Sequence, residues 1–307
     1  MKWVAKALVQ SAFSYVPGGE RLNYVLQRHV FKSLPGSDAV FRGKLARAFR
    51  HFEAFREHGP KRDPSEAVFY EFGAGWDLIV PLAYYALGVE RQILVDIRPL
   101  VRLELVADTI RKFDRHWRAL EQEAPGPLRP LGGAPVESVA DLEQRFGIAY
   151  HAPRDARDTG LPGASIDFIS STDTVEHIPE DDLLRILREC RRLLKPDGVM
   201  SYRIDLEDHY AHFDPTISKF NFLRFSDRTW RLLNPPLHYQ SRLRYPDHVR
   251  LAERAGLEIV DEIVSRASER DLERARGLEV AERFRNGYSR DDLMVKGLTI
   301  VARARAA

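Results

Sequence analysis

Cysteine is almost missing: Cys190 is the single one in 307 residues, which excludes a disulfide framework and a cysteine-based metal site and suits a reducing cytoplasm. Net charge is almost missing too. Forty-seven Lys and Arg against 45 Asp and Glu leave +2, too little to draw a nucleic acid through its phosphates. No apolar run approaches the roughly 20 residues that cross a bilayer. The opening stretch MKWVAKALVQSAFSYVP, residues 1–17, is interrupted by Lys6, Gln10 and Ser11, and no clear small-x-small cleavage site follows it. It is expected to form an amphipathic helix packed on its own protein, with peripheral membrane contact as the alternative. Internal repeats and low-complexity tracts are absent as well.

What is present suits a globular protein with one large core: 44% of residues are hydrophobic and 30% charged. Residues 1–65 read as a helical extension. Leu22, Val25, Leu26 and Val30, and then Val40, Phe41, Leu45, Phe49 and Phe52, recur at three- and four-residue spacing. The proline-bearing stretch HGPKRDPSE then separates two regimes. Beyond it, strands are expected at AVFYEF, QILVDI, IAYHA, IDFISST, VMSYRI, LEIVDEIVS and MVKGLTIVARA. Helices are expected at LIVPLAYYALG, LVRLELVADTIRKF, VESVADLEQRFG, EDDLLRILRECRRLL and PDHVRLAERAG, a charged helical segment runs to about Phe284, and KPDG reads as a turn. Strand and helix in alternation, with strands apolar on both faces, predicts an α/β, doubly wound fold. It has a mostly parallel seven-stranded sheet with an antiparallel edge, and residues 206–244 form a lid insertion.

The first strand runs into EFGAGWD. A loop that leaves a parallel strand and enters a helix presents backbone N–H groups to a ligand. A dinucleotide fingerprint needs G-x-G-x-x-G, whereas Gly73 and Gly75 are followed at that spacing by Leu78. Glu71, two residues before Gly73, suits a ligand with a positive amino group, and Asp96 at the second strand tip suits ribose hydroxyls. An amino acid joined to a ribose is S-adenosylmethionine.

With these residues the chain, over about 66–303, resembles the class I, Rossmann-like S-adenosylmethionine-dependent methyltransferases, and in general look the bacterial ones of surface-glycan or secondary-metabolite biosynthesis. The resemblance implies that Glu71, Phe72, Gly73, Ala74 and Gly75 wrap the methionine part and that Asp96 and Ile97 take the ribose. It implies that Asp155 and Ala156, in DARDTGLP, meet the adenine, with Ser171 and Thr172 at the end of IDFISSTDTVEHIP beside the cofactor. RRLLKPDG is similar to the family's approach to the fifth strand. Asp77 stands where the family's loop has a third glycine, and is expected to cap the following helix instead.

Methyl transfer needs alignment and, for a hydroxyl acceptor, removal of a proton. The candidates at the fourth and fifth strand tips are Asp173, Glu176, His177, Asp205, Asp208, His209 and His212. His209 is the first choice as base, followed by Asp173 and His177. Asp208 and His212, four apart in DHYAHFD, invite a metal reading if that stretch is helical, but no metal is expected. NPPL at Asn234 reads as a turn. The expected acceptor is a small molecule or a sugar. The alternatives are an RNA- or protein-directed methyltransferase and a non-catalytic scaffold.

Overall fold

The computed structural model describes residues 3–4, 24, 28, 34–236 and 239–305, so most of the helical extension expected before Leu34 lies outside the described residues. Seven strands are present: β1 Val68–Phe72, β2 Arg91–Val95, β3 Ile148–His151, β4 Ile166–Thr172, β5 Leu194–Asp205, β6 Leu257–Arg266 and β7 Val295–Ala304. They join in one sheet of order β3-β2-β1-β4-β5-β7-β6. The first five run parallel, and β7 enters antiparallel to both β5 and β6. The antiparallel strand is thus last but one, with β6 closing the edge.

Period-two alternation explains why this sheet must be covered on both sides. Phe69, Phe168 and Val199 stand in register across β1, β4 and β5, and so do Tyr70, Ile169 and Met200. Each row belongs to a separate buried cluster. The first cluster is completed by α1 (Asp38–His58), α2 (Ile79–Ala86), α3 (Leu103–Glu123) and α4 (Val139–Phe146). The second is completed by α5 (Glu180–Leu193) and α8 (Tyr245–Arg254).

Helix α1 starts at Ser37, whose side chain accepts from the Val40 amide, and its Phe41, Leu45, Phe49, Phe52 and Phe55 are buried. Each such side chain is worth about 1.5–3 kcal/mol against exposure. They meet Phe69 and Phe168 of the sheet, with Phe55 stacked edge-on against both at 4.9 and 5.6 Å. Val40, grouped with them in the sequence pattern, is instead half exposed.

Two expectations need correction. KPDG, residues 195–198, is not a turn between elements but a bulge inside β5, where the β4–β5 register jumps from Ile166↔Leu194 to Phe168↔Val199. Fully buried Asp167 holds it there, accepting from Lys195 Nζ at 2.7 Å and from the Val68 amide at 2.8 Å. The charged segment toward Phe284 is not one helix. It breaks after α9 (Glu269–Arg274), passes Gly277 at φ +76°, and resumes as a 3₁₀ turn at Glu282–Phe284.

Between β5 and α8 lie α6 (His209–Phe213), a 3₁₀ turn at Asn221–Arg224 and α7 (Asp227–Leu233). The insertion's Tyr210, Phe220, Phe222 and Trp230 share a third buried cluster with Trp3 and Phe284. Trp3, from the extreme N-terminus, is buried there with its ring 5.4 Å from that of Tyr210.

Candidate functional site

The sheet order reverses direction at β1, with β2 on one side and β4 on the other, and ligands bind where such a reversal parts the loops. A cleft of about 490 Å³ opens there, along the carboxyl ends of β1, β2 and β4. Gly73, Gly75 and Trp76 form its floor, and Asp96, Ile97 and Leu100 one wall. Ala156, Ile178 and Ile186 give an apolar side, while Thr174, His177, Pro236 and Tyr239 face the glycine loop.

Gly73 and Gly75 both have φ near +75°, where a side chain is strained. A Cβ on Gly73 would also lie 2.3 Å from the Thr174 methyl, whose hydroxyl donates to the Gly73 carbonyl at 3.1 Å. The loop is further pinned by Arg102 N–H on the Trp76 carbonyl and by the Thr109 hydroxyl on the Asp77 carbonyl. Tyr24 lays its ring 5.1 Å from that of Trp76 and donates to Glu104 at 2.6 Å, which holds Tyr24 at the cleft.

The cap role expected of Asp77 is not taken. The residue before α2 is Leu78, at φ +50° and without a side-chain cap, so the chain enters the helix through a left-handed residue. Asp77 is turned away from the first turn and accepts from Lys44 Nζ of α1 at 2.7 Å.

Two carboxyls near the loop are buried without sufficient partners. Asp96 is 5% exposed with Oδ2 unpaired, and burial pushes its pKa up to about 7. Glu71 is buried behind the loop with Oε2 unpaired, and burial, then the nearby Asp96 charge, pushes it up to about 8. Both are short of hydrogen-bond donors. A ligand bringing hydroxyls to Asp96 would satisfy it.

The other sequence candidates are dispersed around this cleft. Phe72, Gly73, Gly75, Asp96, Ile97, Asp155 and Ala156 line it, whereas Glu71, Ala74, Ser171 and Thr172 are not in its wall. The Ser171 hydroxyl donates to the Phe72 carbonyl, and that of Thr172 lies 3.3 Å from His51 Nε2. Asp155 is bound by Arg157, which also bonds Asp182 at 2.6 Å and holds the Asp155 carboxyl below its usual range.

At the far end of the cleft, imidazoles gather over β4 and β5. His177 lines the cleft, and its ring is 5.0 Å from that of His209, which in turn is 5.6 Å from His212. His177 Nδ1 lies 2.7 Å from the Tyr239 carbonyl, so it carries the proton and leaves Nε2 with its lone pair. Burial, then the neighbouring His209, holds the His177 pKa below the ordinary value. Asp205 lies 3.6 Å from both His209 and His212, and holds the His212 pKa up. DHYAHFD is helical from His209, but Asp208 is its buried N-cap, donated to by the Tyr210 amide and by Asn221. The face that the sequence assigns to Asp208 and His212 therefore belongs to Asp205 and His212. Asp173, at φ +48°, is paired with Arg47 of α1 and with Arg203 at 3.4 Å.

Residues 136–202, from just before α4 into β5, match the profile of a methyltransferase domain. Methyl transfer from S-adenosylmethionine is the activity that this match supports. No curated protein matches the chain. Among solved structures it is similar to an S-adenosylmethionine-dependent methyltransferase from Clostridium acetobutylicum, at 12% identity and TM-score 0.44 over 94% of this chain and 99% of that one. It is similar to one from Leishmania major at 14% identity and TM-score 0.43, over 98% and 82% of the two chains. It is also similar to the [4+2]-cyclase SpnF at 14% identity and TM-score 0.46, over 84% and 82%.

Among the residues that line the cleft, Trp76 and Thr174 lie within EFGAGWD and IDFISSTDTVEHIP, whereas Tyr24 and Tyr239 stand outside any motif. Arg47 is the other omission, a polar residue within a helix whose apolar spacing drew attention to its neighbours. Among the described residues no helix is long and apolar enough to cross a membrane.

Proposed function

We propose that this methyltransferase acts on an oxygen or nitrogen of a small-molecule or carbohydrate-like acceptor, by in-line displacement at the cofactor's sulfonium methyl. The observation that carries this reading is continuity. One cleft joins the glycine loop and Asp96 to His177 and Tyr239, and Tyr24 and Pro236 wall it from outside the sheet. Such a space suits an acceptor of limited size, and the overall charge of +2 gives little attraction for a polyanion.

When bound, the cofactor supplies an activated methyl on sulfur. Gly73 and Gly75 would let the backbone approach its amino-acid part, Asp96 would accept from its ribose hydroxyls, and Val95, Ala156 and Ile178 would meet its base. Glu71 supports the loop from behind, outside the cleft wall. The acceptor lies between the loop and His177, and its proton is drawn off at the cluster of His177 and His209, while Asp173, tethered by Arg47 and Arg203, positions that edge.

Titration of the purified chain with S-adenosylmethionine, S-adenosylhomocysteine and, as control, NAD tests the cofactor half of this reading. Saturable binding of the first two alone is expected, followed by product methylation in a panel of hydroxylated and amino small molecules. Cofactor binding with transfer to RNA or protein alone would overturn the acceptor class, and absence of binding would leave a scaffold.

A further inference from the structure

Glu176 is an anomaly in the methyltransferase site. It is 2% exposed, yet neither carboxylate oxygen has a hydrogen-bond partner. A buried carboxyl in this state costs several kcal/mol unless a cation or a proton accompanies it. Arg203 is close enough to be felt but already pairs with Asp173. Two imidazoles are also at hand: one carboxylate oxygen of Glu176 and one ring nitrogen each of His177 and His209 all lie within 4.8 Å of one another.

Hydrogen bonds orient the ring of one of these groups and hold the main chain of the other two. A metal-binding histidine commonly donates its second ring N–H to a carbonyl, which orients the ring and raises the basicity of the free nitrogen. His177 does this through Nδ1 to the Tyr239 carbonyl. The next residues of the same segment hold the others: the Ser241 amide donates to the Glu176 carbonyl at 2.7 Å, and the His209 amide to Gln240 Oε1 at 3.1 Å. Gln240 is itself clasped by Asn234, which takes its amide at 2.8 Å and donates to its carbonyl at 3.0 Å.

We propose that Glu176, His177 and His209 bind one divalent transition-metal ion at the acceptor end of the cleft. Two imidazoles and one carboxylate are the donor set of zinc, iron or manganese, not of magnesium or calcium, which prefer oxygen. A second set, Asp205, His209 and His212, shares His209, so one ion excludes another. The first set is favoured because Asp205 already accepts from the Glu207 amide at 3.0 Å and approaches both imidazoles, while Glu176 has nothing. His177 borders the cleft, so an ion held there would stand at its acceptor end. There it would polarise an acceptor oxygen, and with His177 and His209 engaged as ligands the acceptor's proton would pass to water instead of to them. That role rests on the methyl-transfer reading, whereas the binding of the ion does not.

The test is metal binding itself. Chelator-stripped, tag-free protein is titrated with Zn²⁺ by calorimetry and with Co²⁺ by visible absorption, beside an S-adenosylhomocysteine titration of the same preparation. One ion per chain is expected, with visible bands of Co²⁺ bound to nitrogen and oxygen. Glu176→Gln and His177→Ala should each weaken it by about tenfold or more, the scale on which even supporting residues of metal sites act. His212→Ala should leave it unchanged, and all three variants should keep the wild-type circular dichroism spectrum. Failure to bind Zn²⁺ or Co²⁺ overturns the proposal. So does loss of the ion in His212→Ala with retention in Glu176→Gln, which assigns it to the Asp205 set. Cofactor binding without metal sinks the metal site alone, and metal binding without cofactor sinks the methyl-transfer reading alone.

Discussion

Replacing Asp96 by Asn should make the unliganded protein more stable and the cofactor site useless. The Asp96 carboxyl has an ordinary pKa near 3.8 and is pushed to about 7 in the fold, chiefly by burial. Below the lower value both folded and unfolded chains hold the proton, and the group contributes nothing. Between the two values the folded chain keeps a proton that the unfolded chain has lost, so stability falls as pH rises. Above about pH 7 the whole cost is present. Three pKa units correspond to about 4 kcal/mol as an upper bound, and water admitted by the cleft reduces this to about 1–2 kcal/mol. At about 2–4 °C per kcal/mol for a domain of this order of size, the variant should melt about 2–8 °C higher at pH 8.5 and equally at pH 4. S-adenosylhomocysteine should raise the melting temperature of the wild type and not that of Asp96→Asn. Parallel pH profiles for the two proteins would refute the burial argument, and an equal ligand-induced rise would refute the ribose assignment.

Other substitutions probe other parts. Gly73→Ala combines φ +76° with a Cβ 2.3 Å from Thr174, so it should cost on the order of 1–3 kcal/mol and abolish cofactor binding, read by melting and calorimetry. Asp77→Asn weakens the partly exposed ion pair with Lys44, and should change stability by about 1 kcal/mol or less and leave cofactor affinity within a few-fold. A large loss of affinity would show Asp77 to be part of the site. His51 is buried beside Ser201 Oγ at 2.7 Å, and burial lowers its pKa to about 3. The unfolded chain therefore binds a proton there that the folded chain refuses, so stability is lost as pH falls below about 6.5. In His51→Gln the fall in melting temperature between pH 6.5 and 4 should be shallower, and an unchanged slope would point to other groups.

The strands were legible because a parallel sheet covered on both sides needs runs such as the ILV of QILVDI, apolar on both faces, and few other structures do. The glycine loop and Asp96 were legible for a related reason: their residue types follow from backbone conformation and ligand chemistry, which are local. The bulge at 195–198 was not, because Lys195, Pro196, Asp197 and Gly198 suit a turn equally well, and the choice is made by buried Asp167 on another strand. The cap was misread for a similar reason. Nothing near Asp77 in sequence announces that Lys44, 33 residues earlier, will claim its carboxylate. In DHYAHFD the spacing pairs Asp208 with His212, but the acidic neighbour of both histidines is Asp205 from the strand tip. Spacing counts residues along a helix and says nothing of which end is turned inward to cap it.

The segment from Tyr239 to Ser241 grips the imidazole cluster mainly through its main chain: the Tyr239 carbonyl holds His177, and the Ser241 amide holds the residue before it. The Tyr239 side chain, by contrast, is free to line the cleft. Anchorage and selectivity are thereby assigned to different atoms of one residue. Exchange at position 239 can reshape what the cleft admits while the machinery behind it keeps its alignment, so acceptor preference can diverge among descendants of this chain by single steps, without first dismantling the site.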